Sequence, residues 1–148
     1  MPGVKGPDLE ALLRARSAVA ADGADDGVLL AADGSVADGT TSALLWWRGD
    51  RLSIPAHDLP RVASVTAAAV LALAAAEGVP VIGEHARPAD LDGLEVWTAN
   101  AVHGIRGVGR WIGGPAVSSV PGRLDVWRRR LEAQRRPIRP AAAGTTLP

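Results

Sequence analysis

Between Val65 and Glu77 the chain is rich in alanine, opened by Ser64 and closed by Gly78. Alanine is the strongest helix former, and glycine suits the left-handed step at which a helix stops. Short apolar runs of strand character bracket this segment. Val28 to Leu30, Ala43 to Trp47 and Arg51 to Ile54 precede it, and Val79 to Ile82 and Leu94 to Thr98 follow. Gly104 to Ile112 reads as one more strand. Helices alternate with strands, so the expected class is α/β with a mixed arrangement.

The connections carry their own signals. Pro7-Asp8-Leu9-Glu10 reads as a helix start, with Leu9, Leu12, Leu13 and Val19 expected on its buried face and Gly23 at its end. Asp33-Gly34 is a hairpin turn leading into Ser35 to Ala37, and Arg48-Gly49-Asp50 turns the next pair of strands. Asp38 to Ser42 and Pro55 to Ser64 read as loops, and Pro88 to Leu91 as a helical turn. Arg123 to Gln134 is the last helix, with Leu124, Trp127 and Leu131 on one face. From Pro137 the composition is that of a loose tail. The expected organisation is one domain over residues 1–136 and a flexible tail over 137–148.

Composition removes several classes of function. The 148 residues hold 16 Lys plus Arg against 16 Asp plus Glu, so no global charge draws the chain to nucleic acid or anionic lipid. Arg128 to Arg130 with Arg135 and Arg136 read as a solvated helix face, without the interleaved aromatics of a nucleic-acid surface. Zero cysteines exclude disulfides and thiolate metal sites, and no metal is expected. The apolar run Ala67 to Ala76 is too short to span a bilayer and no signal peptide precedes it, so a cytoplasmic protein is expected. Lys5 is the sole lysine among 16 basic residues. Where coding bias has replaced lysine by arginine elsewhere, a surviving lysine points to a need for a primary amine.

Three features bear on chemistry. Lys5 lies just ahead of a helix, and a positioned primary amine can hold a carbonyl cofactor as a Schiff base. Asp38 lies where an acid could pair with a protonated pyridine nitrogen. Ser64-Val65-Thr66 enters a helix whose free N–H groups and dipole favour phosphate. Each has an ordinary alternative: Lys5 as a start-proximal lysine of no importance, Asp38 as a turn residue, Ser64 or Thr66 as a plain N-cap.

The run Gly27-Val28-Leu29-Leu30, Asp33-Gly34-Ser35-Val36 and Asp38-Gly39-Thr40-Thr41-Ser42 resembles the signature of class IV pyridoxal-phosphate aminotransferases and aminodeoxychorismate lyases. The likeness continues through Leu59-Pro60, Ser64-Val65-Thr66, Gly78 to Val81, Glu95 to Ala101 and Gly104 to Val108. It implies a mixed-sheet pseudo-barrel with flanking helices, as in the large domain of D-amino-acid aminotransferase-like enzymes. It implies pyridoxal phosphate as cofactor, Lys5 as the Schiff-base lysine and Asp38 as the partner of the pyridine nitrogen. Val65, Thr66, Asn100 and Ala101 would meet the phosphate, and Arg106 and His103 the substrate. Arg106 and His103 have surface alternatives, and His57 reads as a solvated loop residue.

The departures from the pattern have consequences. Asp38 stands for the family's glutamate, which would place the carboxylate about 1–1.5 Å further from the ring. Ala43 and Ala101 replace an asparagine and a hydroxyl residue. The chain has no tyrosine, unlike branched-chain members. A smaller domain precedes the lysine in this family, whereas only Met1 to Val4 precede Lys5 here. The expectation is therefore the large-domain portion of an aminotransferase or, with a slight lean, a lyase-like enzyme acting on an amino acid or aminochorismate. It would pair as a homodimer or with a separately encoded small domain. The alternative is an inactive remnant or interaction domain.

Overall fold

In strand β3 (Ala43–Arg48) four large apolar side chains follow one another, so the strand must be covered on both sides. The computed structural model describes residues 9–135 and meets that demand with layers. Its elements are α1 (Leu9–Ala21), β1 (Val28–Leu30), β2 (Val36–Gly39), β3, β4 (Arg51–Pro55), α2 (Val65–Ala76), β5 (Val81–Glu84), β6 (Glu95–Asn100), β7 (Gly104–Gly107) and α3 (Arg123–Ala133). A 3-10 turn, Pro88–Leu91, follows β5.

Strands β5-β4-β3-β6-β7 form one sheet in that order, with β4 and β5 parallel and the other pairs antiparallel. Helix α2 is the crossover that parallel pairing requires. On one face Leu45, Trp47, Leu52, Ile54, Trp97, Ala99 and Ile105 pack with Val70, Leu73 and Ala74 of α2 and Trp127 of α3. Trp47, Trp97 and Trp127 meet edge to face, with centroids 5.2 to 5.9 Å apart. The other face buries Leu44, Trp46 and Val96 under Val36, Ala86 and Leu91. The antiparallel β1–β2 ribbon lies on that side, tied to the end of β5 by the Val36 N–H donating to the Ala86 carbonyl at 2.7 Å. The mixed sheet and flanking helices expected from the sequence are present.

Helix α2 begins at Ser64, whose hydroxyl accepts from Ala67 N–H at 3.2 Å. It stops at Gly78 (φ +69°) with bonds from Gly78 N–H to Ala75 O and Val79 N–H to Ala74 O. These are the two bonds of a Schellman ending.

Three expectations are corrected. Leu13 is 50% exposed rather than buried, while Leu12 and Val19 are half-buried. The last strand stops at Gly107 instead of Ile112, because the glycines at 107, 109, 113 and 114 offer little to pack. The chain then doubles back, and Ser118 N–H bonds to Leu94 O at 2.9 Å. Asp38 and Gly39 belong to β2 rather than to a loop, and the pairing slips between Leu29 and Leu30, leaving Ala37 without a partner. That bulge lets Ala37 and Asp38 both turn inward. Lys5 and the tail from residue 137 lie outside the described residues.

Candidate functional site

The β1–β2 hairpin turns at Gly34 (φ +85°), where the Asp33 carboxylate accepts from Ser35 N–H and from its hydroxyl, both at 2.9 Å. This delivers Asp38 to the end of β2, where it is 8% exposed. Its Oδ1 accepts Gly39 N–H at 3.1 Å and its Oδ2 accepts Val62 N–H at 2.9 Å. Burial pushes its carboxyl up to about 6, against the pull of the Val62 and Gly39 N–H groups and the charge of Arg61; the neighbouring Asp26 charge adds to the rise.

The turn after Asp38 is organised by Asp26, a residue that the sequence reading passed over. Its Oδ2 accepts the Thr41 hydroxyl at 3.0 Å and the Ser42 hydroxyl at 2.5 Å. Its Oδ1 accepts Gly27 N–H at 2.9 Å, Thr41 N–H at 3.1 Å and the Thr40 hydroxyl. Partial burial raises the Asp26 carboxyl, but the Ser42, Thr40 and Thr41 hydroxyls and Gly27 N–H outweigh it and leave it below the ordinary value. Gly39 closes the turn by donating to Ser42 O at 2.8 Å, and a Cβ at Gly39 would stand 2.5 Å from that oxygen. The signal that could have revealed Asp26 is the hydroxyl run Thr40-Thr41-Ser42, which needs an acceptor.

Topology gathers other candidates at this end of the large sheet. Ala43 pairs with Ala99, so the Thr40–Ser42 turn entering β3 and the Asn100-Ala101 turn leaving β6 share one edge. Because α2 runs back from the end of β4, its first turn lies there too. Among the described residues the N–H groups of Val65, Thr66 and Ala101 donate to no protein acceptor. Asn100 Oδ1 is already engaged, accepting Val102 N–H at 3.1 Å and His103 N–H at 2.8 Å, so its side chain shapes the turn. His103 is exposed beyond it. Arg106, on β7, reaches Asp25 at 3.7 Å, one residue from Asp26. Among the described residues no direct bond joins Asp38 to Val65, Thr66, Asn100 or Arg106; Asp38 connects to α2 through the loop carrying Val62.

Comparison with known families decides the kinship. Residues 1–111 match the family model described as amino-transferase class IV. The chain belongs to this family. No curated protein matches the sequence. Among solved structures, this class IV chain is similar to a hypothetical aminotransferase from Mycobacterium tuberculosis in its PLP-bound form. That likeness has a TM-score of 0.75 and 21% identity, over 84% of this chain and 44% of the other. The branched-chain aminotransferase from the thermophilic archaeon Thermoproteus uzoniensis, solved with norvaline, gives 0.73 and 18%, over 84% of this chain and 41% of the other. A provisionally named 4-amino-4-deoxychorismate lyase from Legionella pneumophila gives 0.78 and 18%, over 87% and 48%. At these identities the likeness concerns the fold, and the chain spans less than half the length of each of these structures.

Among the described residues no helix is long and apolar enough to cross a membrane, and no group of three His, Cys, Asp or Glu is placed to hold a metal ion.

Proposed function

We propose that residues 1–136 of this class IV chain are the pyridoxal-phosphate-carrying domain of an aminotransferase or aminodeoxychorismate-lyase-like enzyme, with 137–148 as a tail. A cytoplasmic setting and pairing, with a second copy or a separate small domain, belong to the same reading. The observation that carries it is the buried Asp38 carboxylate, held by two backbone N–H groups at the sheet end where the amides of Val65, Thr66 and Ala101 donate to no acceptor among the described residues.

The donor set fits the cofactor. Each Asp38 oxygen accepts one backbone N–H and keeps a lone pair, so a cationic ring N–H could be accepted there. A carboxyl that burial raises is also one that an added positive charge would relieve. The amides of Val65 and Thr66, at the positive end of α2, and that of Ala101 would hold the phosphate. When bound, pyridoxal phosphate supplies an electron sink for negative charge on the substrate α-carbon. Lys5 would anchor the cofactor's carbonyl carbon and then move the proton of the substrate α-carbon through its Nζ. Asp38 would hold the proton on the pyridine nitrogen. Arg106, whose partner Asp25 is an exposed surface acid, could exchange that contact for a substrate carboxylate, and exposed His103, three residues earlier in the chain, would share that role.

The test is direct. Full-length protein is mixed with pyridoxal phosphate, reduced with borohydride and mapped by mass spectrometry. A label on Lys5 that disappears in Lys5→Arg and weakens in Asp38→Ala is the expected result. Absence of label, or equal labelling of the N-terminal amine in Lys5→Arg, would overturn the assignment and favour an interaction domain.

A further inference from the structure

Asp38 meets Val62 because two separate segments, the β1–β2 hairpin and the loop from Ala56 to Val62, are brought together over the end of β5. The residues that join them are Glu84, His85 and Ala86. Glu84 O accepts Ala56 N–H at 3.1 Å, and Ala86 O accepts Val36 N–H at 2.7 Å. His85 stands between these bonds. Its Nε2 lies 3.0 and 3.1 Å from the two Asp58 oxygens, on the loop. Its Nδ1 lies 3.3 Å from Asp33 Oδ2, on the hairpin turn. A carboxylate only accepts, and a neutral imidazole carries a single N–H, so both contacts are hydrogen bonds only when the ring carries two protons.

We propose that His85, in its imidazolium form, is a positioning residue that straps the hairpin to the loop and thereby holds the Asp38 carboxylate against Val62 N–H. The strap is legible at both ends: Asp33 precedes Asp38 on the hairpin by five residues, and Asp58 precedes Val62 on the loop by four. The contribution of this device to catalysis rests on the cofactor reading above, whereas the strap itself does not.

Other charged groups face the region. Arg87 has its Nε near Gly34, 3.8 Å from where a Cβ would stand, so it lies beside the same hairpin turn. His57 on the loop is held by Arg61, whose Nη2 is 2.8 Å from His57 Nδ1. Glu84 is occupied by Arg48 at 2.8 Å and by Trp46 Nε1 at 2.5 Å. Of these groups, His85 alone has a carboxylate from each segment at its two ring nitrogens.

Apart from His85, the hairpin and loop are joined through Ala86 O and Glu84 O and by the bond from Val62 N–H to Asp38.

Amide hydrogen exchange of full-length protein without added cofactor tests this, with Val62 as reporter and Val70 inside α2 as control, each variant compared with parent at the same pH. Asp58→Ala removes the acceptor at an exposed position and is expected to speed Val62 exchange several-fold without moving Val70. His85→Ala is expected to do the same, and His85→Arg, which keeps donors and charge, to restore protection. Unchanged Val62 exchange in Asp58→Ala overturns the strap even should His85→Ala fail to fold, as does equal acceleration at Val62 and Val70. A strap that passes while Lys5 takes no label would leave His85 a structural clasp and defeat the cofactor reading alone.

Discussion

The Val62 amide donates to Asp38 Oδ2 at 2.9 Å although 24 residues separate the two in the chain. This bond spans the join between the hairpin and the loop that leads into α2. The carboxylate expected to face the cofactor ring and the helix expected to face its phosphate are thus coupled through one hydrogen bond. With Gly39 N–H on its other oxygen, Asp38 is held from two sides by backbone that cannot titrate.

Asp38 should make the protein less stable as pH rises through its titration. Its folded value is raised from 3.8 to about 6, so folding favours the protonated form. The associated stability is fully present below the unfolded value and is lost as pH rises through the folded one. A shift of that size corresponds to roughly 3 kcal/mol at most. Urea unfolding of parent and Asp38→Asn at mildly acidic and neutral pH is expected to show this falling component in the parent only. A pH dependence identical in both proteins would refute it.

Asp26 acts with the opposite sign. Its carboxyl lies below the ordinary value because hydroxyl and amide donors outweigh the effect of burial, so its stabilisation is present above the unfolded value and is lost as pH falls through the folded one. Asp26→Ala releases the donors of Gly27, Thr40, Thr41 and Ser42 together. The expected cost at neutral pH is about 2–3 kcal/mol, since these groups are partly reachable by water. Denaturant midpoints check the magnitude, and the loss should shrink in acid.

What could be read in advance follows from the range of the forces involved. The strands and α2 were legible because turn glycines, Ser64 and apolar runs act within a few residues. Asp38 stood out only through its place in a motif, since nothing local distinguishes it from a turn acid. Asp26 and His85 went unnoticed because their partners lie 14 to 16 and 27 to 52 residues away in the chain. The long strand expected after Gly104 failed for a related reason. Val108, Trp111 and Val117 look like strand residues, yet they turn back to cover the second core.

The three-tryptophan cluster should bear stability without bearing on the site. Trp127 is 4% exposed and stacks against Trp47 and Trp97 on the helix side of the sheet, across the sheet from the hairpin. Trp127→Ala is expected to cost about 3–5 kcal/mol by lost burial and the cavity left behind. At a denaturant-free temperature where the variant remains folded, its Val62 amide should keep the parent's relative protection. Selective loss at Val62 would mean that the two cores are coupled through the sheet.

Asp38→Glu restores the residue type that the family signature carries, yet the local geometry argues against a gain. The amides of Gly39 and Val62 are placed at 3.1 and 2.9 Å for the shorter carboxylate. An added methylene pushes the oxygens past both donors by about 1–1.5 Å, in a position with little free space. One or both amides would lose an acceptor, at about 1–3 kcal/mol for each buried donor left unmade. The variant is therefore expected to be less stable in urea and to take no more label on Lys5 than the parent at equal pyridoxal phosphate. Higher labelling at undiminished stability would show that the backbone relaxes to admit glutamate, and that aspartate here is a weaker substitute for the family residue.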